Sequence, residues 1–241
     1  MRNPSAEKEL LESSQLKLVP LDVQNPASVG DAVATSLKTF GKVDVWVNNA
    51  GYGVFGPVEA ASRAQIQRQF DVNVFGLIEC VQAIAPHFRK NRSGVLINVT
   101  SIGGLMTPPG YAIYTSSKFA VEGLSEGLWY ELGAFGIKVK VIEPGVVSTN
   151  FSGRSMDVLD STRFPDYATV IEKINAGGAR LIKNRSEAGL VAAKIYQAAN
   201  DRSDRLRYLV GPDAKRLWSL RRWFGYQAQM RVVRNMVKLW D

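Results

Sequence analysis

One cysteine and one histidine in 241 residues set the first limits. A lone Cys80 excludes an internal disulfide and fits a reducing compartment, so a cytoplasmic location is expected. A lone His87 argues against a His-ligated metal site, and no metal is expected. No apolar run reaches the length of a membrane span. The opening stretch, Met1-Arg2-Asn3-Pro4-Ser5-Ala6-Glu7-Lys8, lacks the hydrophobic centre of a secretion signal. Repeats, low-complexity tracts and interdomain linkers are also missing, so residues 1–241 read as a single domain. With 46% apolar and 22% charged residues, that length buries a full core.

What is present is uneven in charge. Of the net +8, most lies at the end: residues 202–241 hold ten Lys and Arg against three Asp. Within residues 213–241, Leu217, Leu220, Phe224, Met230, Val233, Val237 and Trp240 recur at helical spacing with arginines between them. Such a basic amphipathic helix packs on the domain, joins a dimer or lies on a membrane, expected in that order. Nucleic-acid binding is not expected, because the charges come without a recognised fold for it.

Apolar periodicity gives the element order. Residues 3–14 read as a short polar helix, and 16–23 alternate like a strand ending at Asp22 and Val23. Pro26 opens a helix stopped by Gly41. A buried-type strand at 43–47 enters Asn48-Asn49-Ala50-Gly51. Ser62 caps a long helix running past Asn73 towards Lys90, bent near Gly76 or Pro86. Strands follow at 94–99, 137–142 and 207–210, with helices at 113–134, 186–199 and the C-terminus. Residues 151–185 lose clear periodicity. This alternation predicts an α/β fold, a doubly wound parallel sheet. Ligands bind such sheets at the carboxyl ends of the strands, and Asp22, 48–51, Ser101 and Pro144-Gly145 all fall just past strand ends.

Tyr114-Thr115-Ser116-Ser117-Lys118 puts a phenol and an ammonium on one helix face, with the Ser101 hydroxyl just past a strand upstream. A tyrosine and a lysine four apart carry little information alone. The ordered set carries more: Asp22, Asn-Asn-Ala-Gly at 48–51, Asn73, Ser101, Tyr114, Lys118 and Pro144-Gly145-Val146-Val147-Ser148-Thr149. With that set, residues 2–149 resemble the short-chain dehydrogenase/reductase family, nearest its hydroxysteroid and retinol dehydrogenase-like branch.

The resemblance implies an oxidoreductase moving a hydride between NADP(H), with NAD as the alternative, and an apolar secondary alcohol or ketone. Tyr114 would be the general acid, Lys118 would lower its pKa and bond the nicotinamide ribose, and Ser101 would hold the substrate oxygen. Asn73 would hold a water in the proton relay; a purely structural kink asparagine is the plainer reading. Asp22 and Val23 would contact adenine, and Asn49, Ala50 and Gly51 the adenosine ribose. Pro144, Gly145, Val147 and Thr149 would grip the carboxamide, and Arg2 stands where NADP-preferring members carry a basic residue. Residues 151–185 would form the substrate loop region, and the assembly would be a homo-oligomer. Gly51-Tyr52-Gly53-Val54-Phe55-Gly56 mimics a dinucleotide loop, but no helix opens within it and Asp71 falls inside the next helix.

The resemblance also implies a gap. The family's first strand, Gly-rich loop and helix, which hold the pyrophosphate, have no counterpart, so the fold is expected to be N-terminally truncated by at least about 30 residues. A start at an internal Met, or a trimmed chain, is favoured over a cofactor-free descendant. The alternative function is a non-catalytic relic of the fold acting through a dimer or partner surface.

Overall fold

A computed structural model describes residues 1–10, 12–149, 151–182 and 185–239. Asn25 starts the first helix, its side chain accepting from the N–H groups of Ala27 and Ser28 at 3.1 and 3.3 Å. Pro26 fixes the first turn, and Gly41, at φ 77°, closes the helix as its left-handed cap. The order is α1 (Pro26–Phe40), β1 (Val45–Asn48), β2 (Gly53–Phe55), α2 (Arg63–Phe70), a π-turn at Asp71–Phe75, and α3 (Gly76–Asn91). Next come β3 (Val95–Val99), α4 (Ala112–Gly133), β4 (Lys138–Pro144), β5 (Val147–Ser148), α5 (Phe151–Arg154) and β6 (Met156–Val158). The chain continues through α6 (Ala168–Ile182), β7 (Ser186–Glu187), α7 (Ala188–Asn200), β8 (Arg207–Val210) and α8 (Pro212–Val237).

The main sheet is parallel, in the order β1-β3-β4-β8. Alternation along each strand feeds two cores. Leu96 and Val139 point to one face, against Val81, Ile84 and Phe88 of α3 and Val121 and Leu128 of α4. Ile97, Ile142, Tyr208 and Val210 point to the other, against Ala198, Val191 and Ile195 of α7. Helices on both faces make this a Rossmann-like α/β fold. Two short parallel pairs, β2-β6 and β5-β7, sit beyond the carboxyl ends of the main strands.

Four expectations change. Among the described residues of 3–14 no α-helix forms, and Pro4–Ala6 makes a 3-10 turn. There the Glu7 carboxylate accepts the N–H groups of Lys8, Glu9 and Leu10 at 3.0, 2.8 and 3.3 Å, so the side chain replaces a helical ladder. Residues 16–23 form no strand of the sheet. Their backbone pairs locally, Leu16 with Ser13 in an isolated antiparallel bridge and Leu21 N–H with Met1 O at 2.9 Å, and Pro20 has no N–H to extend the pairing. The 151–185 region is not a loop, because α6 fills much of it and packs on α8. Gly177 lets them approach: an added Cβ would lie 2.4 Å from Val237. Finally, α8 is two helices meeting at Gly225 (φ 79°, ψ 174°), which only glycine adopts readily. Its expected stripe is split: Val237 is buried, Phe224 is 72% exposed, and Trp240 lies outside the described residues.

The long middle helix is interrupted next to Gly76. Ser62 and Gln65 form a reciprocal capping box at the start of α2. Just before Gly76 the α-helical ladder gives way to the π-turn that carries Asn73. Gly76 follows because the Val23 carbonyl oxygen would lie 2.7 Å from any Cβ there.

Candidate active site

The amino end of α4 brings Tyr114 and Lys118 to the carboxyl ends of β3 and β4. Lys118 is buried, and its ammonium donates to the Val99 carbonyl at the end of β3, at 3.1 Å. Its Nζ lies 5.9 Å from the centre of the Tyr114 ring. Ser101, two residues beyond Val99, sits beside the Tyr114 phenol, and its hydroxyl donates to Pro144 O at 3.5 Å. The Ser101 oxygen also accepts the Gly103 N–H at 3.0 Å, which closes the turn that aims it. Phe151 and Tyr111 meet the Tyr114 ring edge-on at 6.0 and 6.1 Å.

Burial sets the electrostatics. It pushes the Tyr114 phenol up to about 12, while the Ser101 hydroxyl pulls it back. The same burial brings Lys118 down to about 8, opposed by the charge of Glu122. The phenol therefore holds its proton at neutral pH, and the lysine is charged below about 8.

These groups open on a cavity of about 1050 Å³ at the strand ends. It is lined by Ser101, Tyr114 and Lys118, and by Arg2, Asp22, Val23, Asn49, Ala50, Gly51, Pro144, Gly145, Val147 and Thr149. Asn73 is not on its wall. The Asn73 amide accepts the Tyr52 N–H at 2.8 Å and donates to Tyr52 O at 2.8 Å and Ser117 Oγ at 3.0 Å. Both of its N–H groups are used. Asn73 thus ties the π-turn to the segment after β1 and to α4 (Ser117 Oγ also donates to Tyr114 O at 2.6 Å). The Gly51–Gly56 stretch runs into β2 with no helix opening inside it, as expected.

Some lining residues escaped sequence reasoning. Thr100 had no motif to mark it. Ala188, Val191, Ala192 and Ile195 form one wall from α7, and their i, i+3, i+4, i+7 spacing was the available signal.

Residues 2–158 match the short chain dehydrogenase family. The chain belongs to that family. A short-chain dehydrogenase of Streptomyces avermitilis superposes with a TM-score of 0.73 at 32% identity, over 90% of this chain and 79% of its own. One from Burkholderia phymatum, solved in complex with NAD, gives 0.71 at 27%, over 85% and 74%. An uncharacterized oxidoreductase of Schizosaccharomyces pombe is 38% identical over 211 residues, 88% of each chain. In this short-chain dehydrogenase, among the described residues, no strand pairs with the outer edge of β1 and no Gly-rich strand, loop and helix precede it.

Proposed function

We propose that this short-chain dehydrogenase interconverts an apolar ketone and its secondary alcohol using NADP(H), as expected for the hydroxysteroid and retinol dehydrogenase-like branch. The observation that carries the reading is the convergence of Ser101, Tyr114 and Lys118 on one large cavity that also takes in Asp22, the 49–51 turn and the 144–149 turn.

The residues fit the adenosine and nicotinamide ends of a nicotinamide dinucleotide, without a Gly-rich loop for its pyrophosphate among the described residues. The cavity is at the upper end of the roughly 300–1,000 Å³ range of small-molecule sites. Cationic, acidic and hydroxyl groups line its length, from Arg2 and Asp22 to Lys118 and Ser101. Arg2 favours the 2′-phosphate form over NAD. When bound, the nicotinamide supplies the hydride to the substrate carbon. Ser101 orients the substrate oxygen beside Tyr114. Tyr114 gives that oxygen its phenolic proton. The Ser101 hydroxyl stabilises the phenolate left behind, and Lys118, held at Val99 O, would bond the nicotinamide ribose. Phe151, on the β2-β6 side, supplies apolar cover.

A ketone panel assayed with NADPH tests the reading. Tyr114→Phe is expected to cut turnover by about 10²–10⁴-fold while leaving NADPH affinity near that of the parent. Full activity in Tyr114→Phe overturns the role given to the phenol.

A further inference from the structure

The catalytic helix carries a second buried charge one turn beyond Lys118. Glu122 is 5% exposed and sits at i+4 from Lys118 on α4. Its Oε1 accepts the Thr100 hydroxyl at 2.5 Å, and its Oε2 is bound by Arg207 of β8. Thr100 lies between Val99, which accepts from Lys118, and Ser101, and its own N–H is fixed by Ile142 O at 2.8 Å. Gly104, in the turn after Ser101, makes room for the acid: an added Cβ would reach Glu122 Cγ at 2.8 Å. One carboxylate therefore touches the strand end before Ser101 and the turn after it, from the helix that bears Lys118.

The surrounding charges are accounted for. Arg207 also bonds Glu143 of β4, at 2.6 Å, and Glu126 on the next turn of α4, with Arg205 acting on Glu143 from nearby. Tyr114 and Glu122 face Lys118. Burial, then the charge of Glu122, pushes Glu143 up to about 7. Glu122 is also raised by burial but is held back by Thr100 and Arg207. Of the two acids Glu122 has the more partners, because Thr100 and Arg207 both bond its carboxylate.

We propose that Glu122 is a positioning residue: it locks the Thr100-Ser101 strand end to the catalytic helix and places a buried carboxylate one turn from Lys118. Its use in carbonyl chemistry rests on the function proposed above, but its effect on Lys118 does not.

The test is a pH titration of Lys118 by NMR in protein labelled at lysine Cε and Nζ, with Lys118→Met to assign the resonance. In the parent, Lys118 titrates near 8. Glu122→Gln keeps an acceptor for Thr100 and removes the charge, so the midpoint falls by about one pH unit. Glu126→Gln, which touches only Arg207, leaves it in place. The wild type gives a second reading that needs no Glu122 variant: the Glu122 carboxyl carbon shows a step at the pH where Lys118 loses its proton. An unmoved Lys118 midpoint in Glu122→Gln, or no such step, overturns the inference. In an active enzyme, the alkaline limb of ketone reduction moves down with the midpoint. An inactive parent whose Lys118 still shifts would reject the proposed reaction and leave the role of Glu122 standing.

Discussion

Tyr114 and Lys118 are driven in opposite directions by the same low-dielectric surroundings, because burial disfavours whichever form is charged. The family resemblance implied an ammonium that lowers the phenol. In the structure the Lys118 ammonium is bonded to Val99 O, and the group that pulls the phenol down is Ser101. Two expectations follow for Lys118. Its charged form persists below about 8, so ketone reduction falls on the alkaline side of that value, as a pH profile of kcat/KM will show. Stability runs the other way. A lysine depressed from about 10.4 when unfolded binds fewer protons when folded, so stability rises with pH from about 8 to about 10. Lys118→Met removes that rise and is expected to stabilise the fold at pH 7 by roughly 1–3 kcal/mol while abolishing turnover. Urea titrations at pH 7 and 9.5 measure both effects.

At the scale of elements, the π-turn at Asp71–Phe75 holds the site together. Its Asn73 amide is the partner of the buried Tyr52 N–H, and Gln69 beside it donates to Tyr52 O and Ser117 Oγ at 2.8 and 3.0 Å. Asn73→Ala leaves the Tyr52 N–H unpaired and is expected to cost about 1–3 kcal/mol, read as a lower thermal midpoint. The sequence showed that helices α1, α4 and α7 and the main strands existed, because caps and apolar periods are local signals. It also showed Tyr114, Lys118 and Ser101 through their order and spacing. It did not show that 16–23 fails as a strand, since strand formation depends on a neighbour that periodicity does not reveal. Nor did it show α6, although Val170, Ile171 and Ile174 recur at helical spacing, because the Gly177-Gly178 pair that lets it dock on Val237 interrupts the pattern. The Glu122, Arg207 and Glu143 cluster joins three elements far apart in sequence and left no local trace.

For the whole molecule, the cavity lies over strand ends as the rule for parallel sheets requires. The described residues supply its proton-donating side in full. They supply no Gly-rich loop of backbone amides to bind a pyrophosphate. The 241-residue chain by itself is therefore expected to bind NADPH weakly, and calorimetry checks this directly. Tight binding by this chain would mean that other groups in the cavity replace the loop. The central claim, that this cavity carries out hydride transfer with Tyr114 as proton donor, is tested most directly with NADPH deuterated at the nicotinamide C4, at millimolar concentration, with an apolar ketone. Mass spectrometry of the alcohol is predicted to find deuterium on the carbinol carbon with the parent chain and almost none with Tyr114→Phe. Equal labelling by both proteins, or none by the parent at saturating NADPH, would contradict it.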